Sequence, residues 1–177
     1  MILYHGTDQI IETIDFSRSR LRTDFGRGFY MSDKLGIARD WAIDKSSLSG
    51  VPTVMRYEVN NAIYIDDVLN CLRFNNPTLE WLEFVKDNRR KVMTGVNTKE
   101  PRHTYDIVSG PIANDKVAIA VDKYCRGKLT AEETLSEVKA IKNVFQLSMH
   151  TKSALLYIKA VSYSQQLNKR WTEWLNY

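Results

Sequence analysis

The chain has 177 residues, of which 44% are hydrophobic and 26% charged, with only eight Gly and four Pro. These proportions are typical of a folded globular protein, and they exclude disordered, collagen-like and disulfide-scaffold chains. Because about 150 residues is the size at which one hydrophobic core is expected, we predict a single domain over residues 1–177. The formal net charge of +4 favours contact with nucleic acid or nucleotide phosphates, although 21 acidic residues are interleaved along the chain.

The sequence carries no signal for a membrane, an export route or a metal. No apolar run approaches the roughly 18 residues that span a bilayer, and residues 1–10 lack a basic segment followed by a long apolar one. We therefore expect a cytoplasmic protein without membrane association, with Cys71 and Cys125 as free thiols. Two cysteines and three scattered histidines do not form a metal-ligand pattern, so no metal is expected.

The first sixty residues predict two strands, a helix and a third strand. The strands are expected at residues 2–5, 28–31 and 53–59. Ser32 or Asp33 is expected to cap the helix between the second and third strands. Its apolar positions recur at three- and four-residue steps, at Leu35, Ala38, Trp41 and Ala42.

The middle of the chain predicts two short elements and a longer helix. Residues 63–65 predict a short strand that leads to a brief helix at 68–72. Asn76-Pro77 opens an amphipathic helix that is expected to run toward Val92-Met93, and residues 95–103 predict a polar loop. The apolar stripe of this helix consists of Leu79, Trp81, Leu82, Phe84 and Val85.

The last third predicts a strand and two helices, followed by a strand, a helix and a strand. A buried strand at 105–109 is expected to end at Gly110-Pro111, before a helix at 117–124 that Asn114 or Asp115 caps and Gly127 stops. A capping box at 130–133 opens the next helix, whose apolar positions are Leu135, Val138 and Ile141. The remaining elements are a strand at 144–149, a helix that starts at Thr151, and a strand at 158–163. This mixture indicates an α+β fold and not a doubly wound sheet.

His5 is the first residue with chemical potential. It precedes Gly6 and Thr7, where a missing side chain lets a ligand approach the backbone and where an imidazole and a hydroxyl can both face it. A lone strand histidine is more often structural, because one donor and one acceptor satisfy a neutral imidazole.

A second candidate segment is Gly26-Arg27-Gly28, which follows Asp24 and precedes Phe29-Tyr30. Two glycines before an aromatic strand suggest a backbone that passes close to a flat or charged group. The segment is not a phosphate-binding loop of the Walker or dinucleotide type, because no lysine follows and the glycines precede a strand where a dinucleotide fingerprint would open a helix.

Residues 3–7 (LYHGT) and 24–32 (DFGRGFYMS) together resemble the first two motifs of the His-Tyr-Glu ADP-ribosyltransferases, the clan of diphtheria-toxin-like and poly(ADP-ribose)-polymerase-like enzymes. Most of the chain is similar to the bacterial DUF3990 family, which is assigned to that clan. The further residues that carry this similarity are 38–42, Asn76-Pro77, Trp81, Phe84, 106–108, Gly110, 113–115, 146–151 and Ala154-Leu155. The resemblance implies an ADP-ribosyltransferase-like split β-sandwich of two small sheets with peripheral helices.

The resemblance also implies that NAD is the substrate and assigns roles to early residues. His5 would donate a hydrogen bond to the adenosine ribose, and Gly6 would offer backbone contacts to the nicotinamide amide. Tyr30 would stack on the nicotinamide ring, with Trp41 as a second aromatic residue on the following helix. Aromatic faces attract a cationic ring, and such stacking contributes about 1–3 kcal/mol. Trp41 is equally compatible with plain core packing.

The implied reaction cleaves the bond between nicotinamide and ribose through an oxocarbenium-like species. That species requires positioning and nearby negative charge more than a strong acid. Against the family's Gln-x-Glu pattern, Gln146 occupies the first site and Ser148 stands where the glutamate belongs. Gln146 and Ser148 are therefore candidate catalytic residues beside His5 and Tyr30, without a carboxylate. We accordingly expect monotransfer and not chain formation, with Asp106 or Asp115 as other sources of charge.

Phosphate contacts are expected from an arginine near the second motif. Arg27 lies between two glycines and can reach a phosphate with a bidentate fork, whereas Arg18, Arg20 and Arg22 are expected to be surface charges. The complete set of residues expected to bind NAD is His5, Gly6, Thr7, Arg27, Gly28, Tyr30, Ser32 and Trp41.

The expected function is NAD-dependent mono-ADP-ribosyl transfer to a macromolecular acceptor, either protein or nucleic acid. Proteins of this kind resemble intracellular bacterial toxins, sometimes encoded beside a small antitoxin partner. One alternative is a catalytically degraded module that binds NAD or ADP-ribose. Others are a basic RNA-binding protein or nuclease that uses His5, His103 and His150, and a simple NAD hydrolase.

Overall fold

A nine-stranded, mostly antiparallel sheet organises the chain in the computed structural model, which describes residues 1–65, 67–89, 101–113, 115–139 and 144–177. The strands are β1 (Ile2–Thr7), β2 (Phe29–Ser32), β3 (Thr53–Val59), β4 (Cys71–Arg73), β5 (Ile107–Pro111), β6 (Phe145–Met149), β7 (Ile158–Leu167), β8 (Arg170–Trp171) and β9 (Leu175–Asn176). Their order is β4-β5-β6-β2-β1-β3-β7-β8, and β9 also pairs with β7. The pairing of β4 with β5 is parallel, and the other described pairings are antiparallel.

Five α-helices accompany the sheet in the described part of the chain. They are α1 (Leu35–Ser46), α2 (Leu79–Arg89), α3 (Asp115–Cys125), α4 (Ala131–Lys139) and α5 (Lys152–Leu155). Within the described ranges, none of these helices has both the length and the apolar character needed to cross a membrane. The strands and helices confirm the predicted α+β class.

The pairing between β1 and β2 is the shortest described in the sheet. These strands are linked through one residue pair, Tyr4 with Ser32, whereas β1 pairs with β3 along all six of its residues and β2 pairs with β6 along all four. Beyond that pair the His5 ring occupies the space beside the carbonyl group of Tyr30, with Nδ1 at 2.6 Å from the oxygen. The junction therefore joins two halves of the sheet and leaves room for side chains between them.

Apolar side chains pack on both faces of the sheet. One cluster includes Leu3, Phe29, Met31, Met55 and Leu147. The opposite cluster includes Phe25 from the loop before β2, together with Trp81, Val85, Val108 and Ala120 from β5 and helices α2 and α3. A smaller third cluster lies under α1. It consists of Ala38, Ala42 and Val54, with Tyr4, Leu35, Trp171 and Trp174 packed against it.

Gly6 permits the contact between α1 and β1. A β-carbon at this position would lie 2.0 Å from the carbonyl oxygen of Ala38 and 2.8 Å from the amide nitrogen of Ala42. Since a hydrogen atom is all that fits there, glycine allows the helix backbone to approach the strand. The expected close approach at Gly6 therefore includes a structural partner, the helix α1.

Several predicted elements differ from those in the structure. Asn61–Tyr64 form a 3₁₀ turn, capped by the side chain of Asn60, where a strand was predicted at 63–65. The predicted helix at 68–72 is wrong, because Cys71–Arg73 form strand β4. Its partner β5 is more than thirty residues away, so the local pattern could not reveal the pairing.

Two predicted boundaries also differ. Strand β5 runs from Ile107 to Pro111, so Gly110 and Pro111 are its last two residues, whereas the prediction placed them after the strand. The N-cap of α1 is Lys34 and not Ser32 or Asp33, although the Ser32 hydroxyl accepts a hydrogen bond from the Lys34 amide at 3.1 Å. Both Cys71 and Cys125 are free thiols.

Some predictions fall on residues that the structure does not describe. The extension of α2 toward Val92-Met93, the start of the loop at 95–100, the cap at Asn114 and the helix position Ile141 lie outside the described residues. The described boundaries confirm that Gly127 follows the end of α3, with φ of +68°, and that Thr151 caps α5.

Candidate functional site

A cleft of about 750 Å³ opens beside the junction of β1 and β2. This volume is within the range of small-molecule sites, roughly 300–1,000 Å³. Seven of the residues predicted for the site contribute to its lining, namely His5, Gly6, Thr7, Gly28, Tyr30, Trp41 and Gln146. The other predicted site residues, Arg27, Ser32 and Ser148, are not in this lining. Strand β1, strand β2, helix α1 and strand β6 thus bring separate parts of the sequence to one cavity.

His5 is buried at the base of the cleft and has a defined tautomer. Its ring stacks on Phe29 with 4.3 Å between centroids, and Nδ1 lies 2.6 Å from the carbonyl oxygen of Tyr30. Because a carbonyl oxygen only accepts, Nδ1 carries the proton and donates. Burial and the nearby Lys45 charge lower the pKa of His5 to about 3, so the ring is neutral at physiological pH. Its Nε2 consequently carries no proton, which does not fit the donating role that the resemblance implied for His5.

Tyr30 is anchored through its hydroxyl group to the loop that precedes β2. The hydroxyl donates to the carbonyl oxygen of Gly26 at 2.7 Å and accepts from the amide of Phe25 at 2.9 Å, with Thr23 Oγ1 also at 2.9 Å. Burial raises the pKa of Tyr30, so the phenol stays protonated. These contacts fix the ring and occupy the hydrogen-bonding capacity of the hydroxyl group. Tyr30 therefore contributes the surface of its aromatic ring and does not act as an acid or a base.

The side chains of His5 and Tyr30 leave the sheet on different faces. Successive strand residues alternate, so Tyr30 shares a face with Ser32, whereas His5 stacks on Phe29 on the other face. The two residues meet where the His5 ring binds the main chain of Tyr30. Both contribute to the lining of the cleft, and the contact between them is ring to carbonyl.

Trp41 projects from the cleft-facing side of α1. The helix places Ile37, Asp40, Trp41, Asp44 and Lys45 in the lining, at spacings that put them on one face. Ala38 and Ala42 are fully buried and form the core contact of the same helix. Trp41 itself is half-buried and lines the cleft.

A buried carboxylate lies beside Gln146 in the cleft. Asp24 Oδ2 accepts from Gln146 Nε2 at 2.8 Å and from the amide of Ala113 at 2.9 Å. Asp24 Oδ1 accepts from Arg89 Nε at 2.9 Å and from Arg89 Nη2 in an ion pair. Burial opposes and Asp24 favours the charged form of Arg89, and the net effect raises the pKa of Arg89. The network joins β6 to α2 and to the loop before β2.

Sequence reasoning missed Arg89, and it did not assign a role to Asp24. Arg89 is 65 residues from Asp24 in the sequence. It belongs to the basic run at residues 86–91, and such a run is typical of the solvated face of a helix. Only the position of Asp24 two residues before Gly26 marked it as unusual. The ion pair could not be inferred without the tertiary fold.

The cations near the cleft differ from those predicted. Arg18, Arg20 and Arg22 line it, together with Lys45. Burial of the ammonium group and the neighbouring Arg20 lower the pKa of Lys45. Acidic residues alternate with these cations in the lining, at Asp8, Asp15, Asp40 and Asp44. The predicted phosphate contact, Arg27, contributes its carbonyl oxygen to His150 Nδ1 at 2.8 Å.

The other candidate polar residues lie outside the lining of the cleft. Ser148 is fully buried, donates to the Val108 carbonyl oxygen at 3.1 Å and lies 2.8 Å from His150 Nε2. His150 contacts His103 with 4.6 Å between ring centroids. The three histidines of the nuclease alternative therefore separate into His5 in the cleft and a contacting pair outside it.

Two further polar residues are accounted for by local structure. Ser32 Oγ donates to the Phe145 carbonyl oxygen at 3.0 Å, which ties β2 to β6. Asp106 accepts from the Asn70 amide at 2.8 Å and from Thr151 Oγ1, outside the cleft lining. The side chain of Asp115 lies outside the described residues.

Comparison with known proteins gives a family and no described activity. No curated protein and no solved structure matches the chain. Residues 1–160 match the family described as "Protein of unknown function (DUF3990)". Because the match covers β1 to the first three residues of β7, including every cleft residue named above, this chain belongs to the DUF3990 family.

Proposed function

We propose that this protein is an NAD-dependent mono-ADP-ribosyltransferase that acts on a macromolecular acceptor, as an intracellular bacterial toxin with a small antitoxin partner. The observation that carries the proposal is the convergence of His5, Gly6, Tyr30, Trp41 and Gln146 on one cleft of about 750 Å³. The resemblance to the ADP-ribosyltransferases implies a role for each of these residues, and they come from four separate elements. The narrow β1–β2 junction is consistent with the split β-sandwich that we propose for the fold.

The chemistry of the lining suits a dinucleotide with a flat cationic ring. Trp41 and the anchored ring of Tyr30 offer aromatic surfaces, which attract a pyridinium by cation–π interaction. The neutral His5 ring offers Nε2 to a ribose hydroxyl. Arg18 and Arg20 lie at the same cleft and replace Arg27 as the proposed phosphate contacts.

In the proposed reaction the bond between nicotinamide and ribose breaks, and nicotinamide departs with the bonding electrons. A nucleophile of the acceptor then forms the new bond to the ribose carbon and loses its proton to water. Asp24 is fully used by Arg89, Gln146 and Ala113, so it does not act as a free base. Catalysis therefore depends on positioning, for which effective molarities are large. This favours transfer of single ADP-ribose units.

The same pairing of Asp24 supports a second candidate function, a module that binds NAD or ADP-ribose without turnover. Both candidates require NAD in the cleft and differ only in bond cleavage. If the paired Asp24 supplies no stabilising charge to an oxocarbenium-like species, the chain would bind the dinucleotide and leave it intact.

The test is incubation of the purified protein with labelled NAD, with and without cell lysate. Nicotinamide release and labelled macromolecules in the lysate, identified by mass spectrometry, support the transferase. We expect His5→Ala and Tyr30→Ala to abolish labelling, and His103→Ala, outside the cleft, to retain it.

Other results would replace the proposal. Free ADP-ribose without labelled acceptors identifies an NAD hydrolase, and NAD binding without nicotinamide release identifies the binding module. Salt-dependent binding to single-stranded RNA with no response to NAD identifies the RNA-binding alternative.

A further inference from the structure

Gln146 has an amide group whose orientation is fixed by two neighbours. Nε2 donates to Asp24 Oδ2 at 2.8 Å and to the Pro111 carbonyl oxygen at 3.3 Å. Both partners accept hydrogen bonds, so exchanging the amide oxygen and nitrogen would place Oε1 against two acceptors. The two hydrogens of Nε2 are thus used inside the protein, and Oε1 is the end of the amide that remains for a ligand in the cleft.

Asp24 is itself held firmly enough to impose this orientation. Its side chain is 9% exposed and receives hydrogen bonds from Arg89, from the Ala113 amide and from Gln146. These donors occupy both carboxylate oxygens, so the group can act only as an acceptor toward Gln146. Rotation of the Gln146 amide would break its hydrogen bond to this charged group and place Oε1 against the carboxylate.

We infer that Asp24 is a positioning residue that presents Gln146 Oε1 as a hydrogen-bond acceptor to a ribose hydroxyl in the cleft. His5 Nε2 is a second acceptor in the same lining, because its Nδ1 donates to Tyr30. Two neutral acceptors favour a ligand rich in hydroxyl groups and disfavour carboxylate or phosphate at these points. The identity of the ligand as NAD rests on the proposed function, whereas the orientation of the amide does not.

The orientation is tested first by NMR of the Gln146 side-chain amide, without any ligand. In the wild-type protein we expect Nε2 protons that are shifted downfield and protected from exchange, as hydrogen bonds to Asp24 and Pro111 require. Asp24→Leu removes the acceptor with a side chain of similar size, so this signature is expected to disappear. Asp106→Leu is the matched control, because Asp106 is outside the cleft lining and should leave the signature unchanged.

The ligand contact is tested by calorimetric titration with NAD. Gln146→Leu is expected to weaken binding about tenfold, the factor that one hydrogen bond contributes. Gln165→Leu is the matched control, because that amide donates to Thr53 Oγ1 at 3.1 Å outside the cleft lining, and it should bind NAD like the wild type.

Gln146→Glu adds a readout that a merely structural role would not produce. The protonated carboxyl group can donate to Asp24 and offer its other oxygen to the ligand, whereas the ionised group is repelled by Asp24. NAD affinity of this variant should therefore be kept at low pH and lost as the pH rises, with no such loss in the wild type.

The outcomes separate this inference from the proposed function. Unchanged NAD affinity in Gln146→Leu, or a flat pH profile in Gln146→Glu, overturns the inference even if nicotinamide is released. Gln146-dependent NAD binding without nicotinamide release supports the inference and overturns the transferase. An Nε2 signature that survives Asp24→Leu in a folded protein overturns the positioning role, whatever the ligand.

Discussion

Replacement of Gly6 by alanine tests the contact that places α1, and with it Trp41, beside the cleft. The added β-carbon would lie 2.0 Å from the Ala38 carbonyl oxygen and 2.9 Å from Trp41 Cβ, where ordinary contact begins near 3.4 Å. The helix must therefore move away from β1 by more than about 1 Å, and overpacking of this kind costs about 1–3 kcal/mol. In a domain of this size, that cost corresponds to a fall in Tm of roughly 2–12 °C.

The matched control is Gly36→Ala in the same helix. No atom lies within 4 Å of the β-carbon that this change adds, so the expected effect is a gain of up to about 1 kcal/mol from helix propensity. Thermal unfolding followed by circular dichroism measures both variants. We also expect weaker NAD binding for Gly6→Ala and unchanged binding for Gly36→Ala. A Gly6→Ala protein with the stability of the wild type would refute the close contact.

Three other changes test the buried polar groups. Arg89→Met leaves Asp24 as an uncompensated buried charge and should lower the free energy of unfolding in urea by about 3–5 kcal/mol. Arg126→Met, at an exposed ion pair, should lower it by about 0–1 kcal/mol. Similar losses of stability in the two variants would contradict the network. Tyr30→Phe should lower the free energy of unfolding by about 1–3 kcal/mol, because partners of the hydroxyl group are left unpaired. NAD affinity should be nearly unchanged since the ring remains. A severe loss of affinity would assign the hydroxyl group to the ligand. Because His5 takes up a proton near pH 6.5 when unfolded but near pH 3 when folded, the free energy of unfolding should fall as pH drops through that window, by at most about 1.4 kcal/mol per unit. His5→Gln should reduce that pH slope, and equal slopes would refute the neutral, buried ring.

Local chemistry predicted several elements well. The capping box at the start of α4 forms both of its hydrogen bonds, from the Thr130 amide to Glu133 at 2.7 Å and from the Glu133 amide to Thr130 at 3.2 Å. Such motifs act within one helical turn, so the sequence alone specifies them. Strand β4 was missed because three residues acquire strand geometry only by pairing with β5, which no local pattern encodes.

The candidate site shows the same division. The resemblance to the ADP-ribosyltransferases implied site roles for His5, Gly6 and Trp41, and all three line the cleft. Arg27 was favoured over Arg18 and Arg20 because it lies between glycines, yet the direction of a loop side chain depends on tertiary contacts such as that of His150 with the Arg27 carbonyl.

The measurement that tests the account most directly is equilibrium binding of NAD to the wild type, Trp41→Leu and Trp171→Leu. Trp41 lines the cleft, whereas Trp171 packs on the third cluster under Arg39, 5.0 Å from the ring centre, and is outside the lining. We predict one-to-one binding that Trp41→Leu weakens by at least about fivefold, as loss of a stacked ring requires, and that Trp171→Leu leaves unchanged. Absence of NAD binding by the folded wild type, or equal affinities for all three proteins, would contradict the proposed cleft.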